Sequence, residues 1–406
     1  MANKLYLFTG QYPYSQYVEC FLEDEIQYLA KCFSEIIIVP TRGASTKREI
    51  PENCEVMDPV FPKLPLFIIR GMYNKRTFRL LMKDFLSNKV YASRAKMGVW
   101  IKAVLVINNL LNSKVVKEIE KKIDSSDVFY YYWGKWSNLL TLFIDKKCKH
   151  VSRFHGAWDL WEEEYDNYAP LRYELSKKLD LAVFISRKGE DYFKKKYPAT
   201  YTTLSPLGSL DYGTMPLKAD KEIHFVSCST VYPLKRVELI YQSVARYAQN
   251  NPNKTIKWTH MGGGVGFEHL KELINNTKPG NLKVKLMGNL EHSQVISCYQ
   301  TTHFDVFINL STNEGVPVSI MEALSFDIPV VATSVGGTPE IVTEMSGKLV
   351  APIPTVEEVI KALHEVLSKK IYAREFWSAH YSADINYSEF ADLLKKISLY
   401  GKDTKC

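Results

Sequence analysis

From about residue 205 onward, short apolar runs rich in β-branched residues alternate with longer stretches of helical period. The runs are Ile223–Cys228, Ile256–Met261, Leu282–Met287, Asp305–Leu310, Pro329–Thr333 and Lys348–Ala351. Between them lie Lys235–Gln249, Phe267–Asn276, Ser293–Thr302, Pro317–Phe326, Pro339–Glu344 and Val356–Lys369. Unbroken apolar strands separated by helices predict βαβ units around a parallel sheet covered on both faces. The first half repeats the alternation less sharply. Strands are predicted at Lys4–Phe8, Glu35–Val39, Asp127–Tyr132, His150–Phe154 and Leu181–Ile185, and helices at Gln16–Cys32, Lys75–Ser87, Val99–Lys122, Ser137–Lys146 and Lys188–Lys196. The pattern predicts an α/β protein of two doubly wound, Rossmann-like domains, residues 1–206 and 207–374, facing each other across a cleft. The Ser-, Gly- and Pro-rich stretch SPLGSLDYG (205–213) suits a hinge. The aromatic tail (Phe376, Trp377, Tyr381, Tyr387, Phe390) predicts that residues 375–406 return to the first domain.

Composition narrows this little. The chain has 406 residues, 46% hydrophobic and 24% charged, as in ordinary globular proteins. The longest apolar run in its most hydrophobic region, Ala103–Ile107, is far short of a membrane span, and Met1–Tyr6 does not read as a signal peptide. Seven cysteines (20, 32, 54, 148, 228, 298, 406), an odd number without CxxC spacing, predict free thiols and a cytoplasmic setting. Charge is more informative. Formal net charge is +7, yet Val60–Lys117 holds twelve basic residues and a single acid, Asp84. That stretch alone carries +11 (12 − 1), leaving −4 (7 − 11) for the rest. Interleaved apolar residues such as Phe67, Phe78, Leu81 and Phe85 make it amphipathic. It suits either a solvated helical face or an anionic partner such as a membrane surface or lipid diphosphate. No zinc spacing or RNA-binding signature points to nucleic acid.

The passage richest in chemistry is Asn309–Val342, NLSTNEGVPVSIMEALSFDIPVVATSVGGTPEIV. A predicted strand ends at Leu310, a loop follows, and Pro317 opens a helix that is apolar on nearly every side. Glu322 sits inside it, an expensive place for a carboxylate without partners. Either a Lys or Arg pairs with it, or it accepts hydrogen bonds from ligand hydroxyls, a vicinal diol matching its two oxygens. Glu314 lies eight positions earlier, roughly 7–10 Å away. Between them Val318 and Ser319 offer free N–H groups at a helix start, a natural phosphate site, and Gly315 and Val316 lie on the same loop. After the strand Ile223–Cys228, adjacent Lys235 and Arg236 supply positive charge for a departing diphosphate, where no DxD motif offers a metal. The glycines of WTHMGGGVGF fail the G-x-G-x-x-G dinucleotide fingerprint, and Gly288 and Asn289 present backbone to a nucleobase edge. In the first half, His155 follows a predicted strand, as either a structural or a catalytic imidazole. Gly10 lets backbone approach a ligand.

The spacing Glu314–Glu322 resembles the E-x7-E motif of retaining family 4 glycosyltransferases. The segments PLKRVELI, MGNL, EGVPVSIMEALSFDIPVVAT and GGTPEIV are similar to those of bacterial members that build exopolysaccharide and capsule. YPYSQYVECFLEDEIQYLAK, YYWGKW and SRFHGAWDL look like the same subgroup. The resemblance implies the GT-B fold, with an acceptor-side first domain and a nucleotide-sugar-binding second domain. It implies that Glu322 holds the ribose hydroxyls, Glu314 contacts the donor sugar, and Lys235 contacts the diphosphate with Arg236 nearby. Gly315, Val316, Val318 and Ser319 would present backbone to sugar and phosphate, and His155 would approach the donor sugar. Many members carry Arg five residues before the lysine; here that position is Thr230.

The expectation is therefore a metal-independent, retaining hexosyltransferase without a cofactor. Its donor would be a UDP- or GDP-linked sugar and its acceptor a glycan or polyprenyl-diphosphate-linked glycan. It would be cytoplasmic, with residues 60–117 touching the inner face of the membrane. Two rivals fit the same fold: a glycoside phosphorylase and a non-catalytic nucleotide-sugar or glycan binder.

Overall fold

The computed structural model describes residues 4–14, 18–19, 21–61, 75–144, 148–156 and 158–400. The chain divides into two units, 1–206 with 387–406, and 207–386.

In the first unit the strands are β1 (Lys4–Thr9), β2 (Glu35–Pro40), β3 (Cys54–Val56), β4 (Val128–Tyr131), β5 (Lys149–Phe154), β6 (Leu181–Phe184) and β7 (Thr202–Leu204). They form one sheet in the order β3-β2-β1-β4-β5-β6-β7, parallel throughout. Its helices are α1 (Leu22–Cys32), α2 (Lys75–Ser87), α3 (Arg94–Asn112), α4 (Lys114–Lys122), α5 (Arg172–Lys178) and α6 (Arg187–Lys196). In the second unit β8 (Ile223–Cys228), β9 (Ile256–Met261), β10 (Leu282–Leu286), β11 (Val306–Asn309), β12 (Val330–Thr333) and β13 (Gly347–Val350) form a parallel sheet ordered β10-β9-β8-β11-β12-β13. They alternate with α7 (Val237–Asn250), α8 (Phe267–Thr277), α9 (His292–Thr301), α10 (Val318–Ser325), α11 (Thr338–Ile341) and α12 (Val356–Ser368), followed by α13 (Ala373–His380) and α14 (Ala383–Tyr400). Both sheets are doubly wound, and strand order reverses between β1 and β4 in one and between β8 and β11 in the other.

Elements of the second unit lie within three residues of their predicted bounds because its central strands β8, β9, β11 and β12 are largely apolar and buried on both faces, while lysines are exposed only on the edge strands β10 and β13. The first unit departs more. The helix expected over Gln16–Cys32 begins at Leu22, because Glu19 adopts a left-handed conformation (φ 56°). The single helix expected over Val99–Lys122 starts at Arg94, capped by Ser93, and breaks at Ser113 with a 58° bend. Ser113 is extended and caps α4. Ser137–Lys146 narrows to a 3₁₀ stretch over Ser137–Leu142. Strands β3 and β7, three residues each, carry too little pattern to be seen. Among the described residues no single helix is long and apolar enough to cross a bilayer. Part of the basic stretch, 62–74, lies outside the described residues.

The returning segment is shorter than expected. Residues 375–386 belong to the second unit, where Trp377 Nε1 donates to Ser209 Oγ at 2.8 Å. Only from Tyr387 does α14 join the first unit. There Phe390 lies 5.2 Å from the Tyr130 ring, and Ser398 Oγ donates to the Ser126 carbonyl. Beneath Phe390 is a fully buried ion pair. Arg153 of β5 bonds Glu25 of α1, both side chains without exposure, and its guanidinium sits 4.0 Å from the Phe390 ring centroid. Tyr130 Oη donates to the other Glu25 oxygen at 2.8 Å. Burial pushes the Glu25 carboxyl above its usual range, against the pull of Arg153.

Removing one partner strands the other charge in a dry core. Glu25→Ala is therefore expected to cost about 3–5 kcal/mol in urea denaturation of the intact protein. A loss under about 1 kcal/mol would show that the buried pair does not hold the core together in this way. Three buried imidazoles and the half-buried His224 also set a pH response. Burial holds His150 and His155 down at about 3, and His224 and His260 down at about 4. The unfolded chain protonates them near ~6.5, so the four remove stability as pH falls from ~6.5 towards 4. Asp84, raised to about 6 mainly by burial, acts in the opposite sense over the window between its unfolded value and about 6. In histidine-selective NMR these four rings should remain neutral at pH 5; protonated rings there would refute the assignment.

Candidate functional site

In doubly wound sheets ligands bind outside the carboxyl ends of the strands where strand order reverses. In the second unit this point lies between β8 and β11. The loops that follow these strands are tied together, Thr312 N donating to the Leu234 carbonyl at 2.8 Å. That tie brings Lys235 and Glu314 face to face. Lys235 Nζ is 2.6 Å from Glu314 Oε1, and Asn309 Nδ2 approaches the same oxygen at 3.4 Å. The lysine side chain remains about a third exposed. Gly336 sets the loop from the other side. It is left-handed (φ 54°), and a Cβ there would lie 1.7 Å from the Glu314 carbonyl oxygen. Gly337 N then donates to the Gly315 carbonyl at 2.8 Å. Only glycine permits this approach.

Beyond Glu314, Val316 is buried and Pro317 caps α10. Ile320 and Met321 turn their N–H groups back onto the Pro317 carbonyl. The N–H groups of Val318 and Ser319 precede that first turn and face forward, at the positive end of the helix. Glu322 lies one turn on, 8% exposed. Its partner is neither Lys nor Arg: His292 Nε2 is 2.8 Å from Glu322 Oε1.

Several predicted residues are engaged differently from expectation. Arg236 does not join Lys235 at Glu314. It adopts a left-handed conformation at the start of α7, and its guanidinium donates to the Pro352 carbonyl after β13. The Gly288 carbonyl accepts from Gly262 N at 2.9 Å, and Asn289 Oδ1 accepts from Gly263 N at 2.9 Å. These atoms clasp the glycine loop rather than standing free. Gly262 (φ 137°) lets that loop approach the Ser229 carbonyl, where a Cβ would sit at 1.9 Å.

In the first unit Gly10 approaches an internal group. The N–H groups of Gly10, Gln11 and Tyr12 all donate to the Glu19 carboxylate at 2.7–2.8 Å, and Trp133 Nε1 donates to it at 2.5 Å. Sequence reasoning missed Glu19 because it lay in a stretch read as helix. His155 is buried, with Nε2 at 2.9 Å from the Tyr132 carbonyl. A carbonyl only accepts, so Nε2 carries the proton and Nδ1 is the basic nitrogen. The ring packs on Trp133 at 4.4 Å, and Asp159 accepts from the His155 N–H. Kept neutral by burial, His155 is equipped to accept a hydrogen bond and not to supply charge. Lys135, unflagged by the sequence, is buried over the Tyr165 ring at 4.2 Å, and burial brings it down to about 8.

Residues 215–382 match the family model described as Glycosyl transferases group 1, nearly the whole second unit. Among curated proteins the chain is similar to the GPI3 component of phosphatidylinositol N-acetylglucosaminyltransferase from Saccharomyces cerevisiae, 22% identical over 38% of this chain and 33% of that protein. It is also similar to the UDP-N-acetylglucosamine--peptide N-acetylglucosaminyltransferase GtfA subunit of Streptococcus pneumoniae, 23% identical over 45% of this chain and 36% of that one. The matched region thus spans about a third of these relatives' length. Likeness to solved structures runs through the whole chain. Sucrose-phosphate synthase from Thermosynechococcus elongatus aligns at TM-score 0.67 and 14% identity over 97% of this chain and 99% of that one. Anabaena Alr3699/HepE, in complex with UDP and glucose, aligns at 0.64 and 16% over 98% and 100%. The chain has the GT-B fold, and residues 215–382 of its second unit are similar to the glycosyl transferases group 1 model.

Proposed function

We propose that the chain is a retaining glycosyltransferase that moves a hexose from a UDP- or GDP-linked donor to a hydroxyl of a glycan or lipid-linked glycan. The observation that carries this reading is the row of groups at the β8–β11 crevice: Lys235 on Glu314, the forward N–H groups of Val318 and Ser319, then Glu322. Cation and carboxylate, phosphate cradle, carboxylate is the order that a sugar, a diphosphate and a ribose require. UDP with glucose in the Anabaena neighbour, and UDP-N-acetylglucosamine in the name of the streptococcal relative, support a nucleotide-sugar donor.

In this reading the acceptor oxygen bonds to the anomeric carbon while the bond from that carbon to the β-phosphate oxygen breaks. The acceptor proton passes to the departing phosphate. Attack from the leaving-group face keeps the anomeric configuration, so an α-configured donor gives an α-linkage. Lys235 and the start of α10 receive the charge that develops on the diphosphate, without a metal. Glu314 holds Lys235 in place and contacts the donor sugar, and Glu322 accepts from the ribose. Gly315 and Val316 line the backbone path between them. His155, in the first unit, is equipped as a neutral acceptor of hydrogen bonds.

The setting proposed is cell-surface polysaccharide synthesis at the inner face of a membrane. Exposed Phe78, Leu86, Tyr91 and Ile101 lie among exposed Lys75, Arg79, Arg94 and Lys102 on α2, α3 and the turn between them, an amphipathic face suited to anionic lipid. Lys83 is spoken for by Glu174 at 2.6 Å. Liposome flotation with anionic vesicles should therefore fail after charge reversal at Lys75, Arg79 and Lys102 together; unchanged flotation would reject the membrane role. For the donor, a thermal-shift screen against UDP- and GDP-sugars should yield a hit. A ligand at 100 times its dissociation constant adds about 2.7 kcal/mol of stability. Glu322→Ala should abolish that shift. A shift that survives the substitution, or no hit from either nucleotide, would sink the reading.

A further inference from the structure

Glu322 is fixed before any ligand arrives, and His292 fixes it. The imidazole opens α9, whose first turn is sealed reciprocally: the Glu291 side chain takes the Gln294 N–H, and Gln294 Oε1 takes the Glu291 N–H at 2.9 Å. Its backbone therefore has little freedom. On one side the ring meets the edge of Tyr212, 6.1 Å between centroids. On the other, Nε2 binds Glu322 Oε1. The segment before His292 is also anchored, since Gly288 and Asn289 clasp the Gly262–Gly263 loop. The imidazole is thus held from its backbone, its ring edge and its nitrogen.

We propose that His292 is a positioning residue for nucleotide recognition: it orients the Glu322 carboxylate so that Oε2, together with the second lone pair of Oε1, is presented to a ribose diol. The proposal rests on the reading of Glu322 as the ribose acceptor. A lysine or arginine in this place would cancel the carboxylate charge at any working pH, as Arg153 does for Glu25. A histidine gives one directional hydrogen bond in the plane of its ring, which sets the carboxylate's rotation and leaves its second oxygen for a ligand. His292 needs no contact with the sugar or the reacting atoms to do this, and its effect falls on nucleotide affinity.

The test is calorimetric titration of the full chain with UDP and GDP, each beside its 2′-deoxy form. The wild-type protein should bind the ribonucleotide at least about tenfold tighter than the deoxy form, the scale of a hydrogen bond to a charged group. His292→Ala should lose about tenfold in ribonucleotide affinity and bring the ribose-to-deoxy ratio close to one, since a carboxylate free to rotate no longer selects the diol. His292→Gln, which restores an N–H donor, should recover most of that ratio and shows that the loss is not one of folding. In turnover, the donor KM should rise in His292→Ala while kcat stays near wild type. A His292→Ala protein that keeps both affinity and the ratio overturns the inference with the Glu322 reading intact. A wild-type protein that does not distinguish ribose from deoxyribose overturns the Glu322 reading and the inference with it.

Discussion

The ion pair between Lys235 and Glu314 is the constraint around which the candidate site is arranged. It joins the two strands that flank the strand-order reversal, and it does so through loops already tied at Leu234 and Thr312. Such a pair adds little stability, because a partly exposed ammonium gives up hydration for what it gains from its partner. Its consequence is geometric. It sets a cation beside the start of α10, so positive charge from a side chain and from a helix end converge on one small region. Gly336 makes the arrangement possible by letting a second loop press against the Glu314 backbone.

Three buried carboxylates show how partner choice separates structure from chemistry. Glu25 is locked to Arg153 and Tyr130 with no exposure, and its place under α14 makes it part of the core. Glu19 is saturated by three backbone N–H groups and an indole, which fold the loop after β1 around it. Glu322 is held, among the described residues, by the single imidazole of His292 on Oε1, which leaves lone pairs for a ligand. Desolvation is costly in all three cases, and of the three only Glu322 has capacity left for a ligand.

The second unit was largely legible in the sequence because strands buried on both faces read as unbroken apolar runs, and the E-x7-E spacing falls within one strand–loop–helix segment. Glu314, Glu322 and Lys235 stand out in the sequence for the same reason: each follows a strand end in the chain. What stayed hidden depends on contacts between distant segments. His292 meets Glu322 across thirty positions, Asn289 reaches back to Gly263, and Arg236 turns to Pro352. None of these pairings leaves a periodic trace. In the first unit the left-handed turn at Glu19 interrupts an otherwise helical pattern, and Ser113 breaks another with a single capping residue. Glycine's role was legible in kind but not in place: the loop before α11 needs it at Gly336, where the sequence shows only a GG pair.

In the proposed reading a nucleoside diphosphate lies against the start of α10, between Lys235 and Glu322. Hydrogen–deuterium exchange of the intact protein with and without UDP or GDP tests this most directly. Slowed exchange is expected in peptides covering Ser311–Ser325 and Tyr232–Val237. Protection confined to other segments, with these two unchanged while the nucleotide is bound, would contradict it.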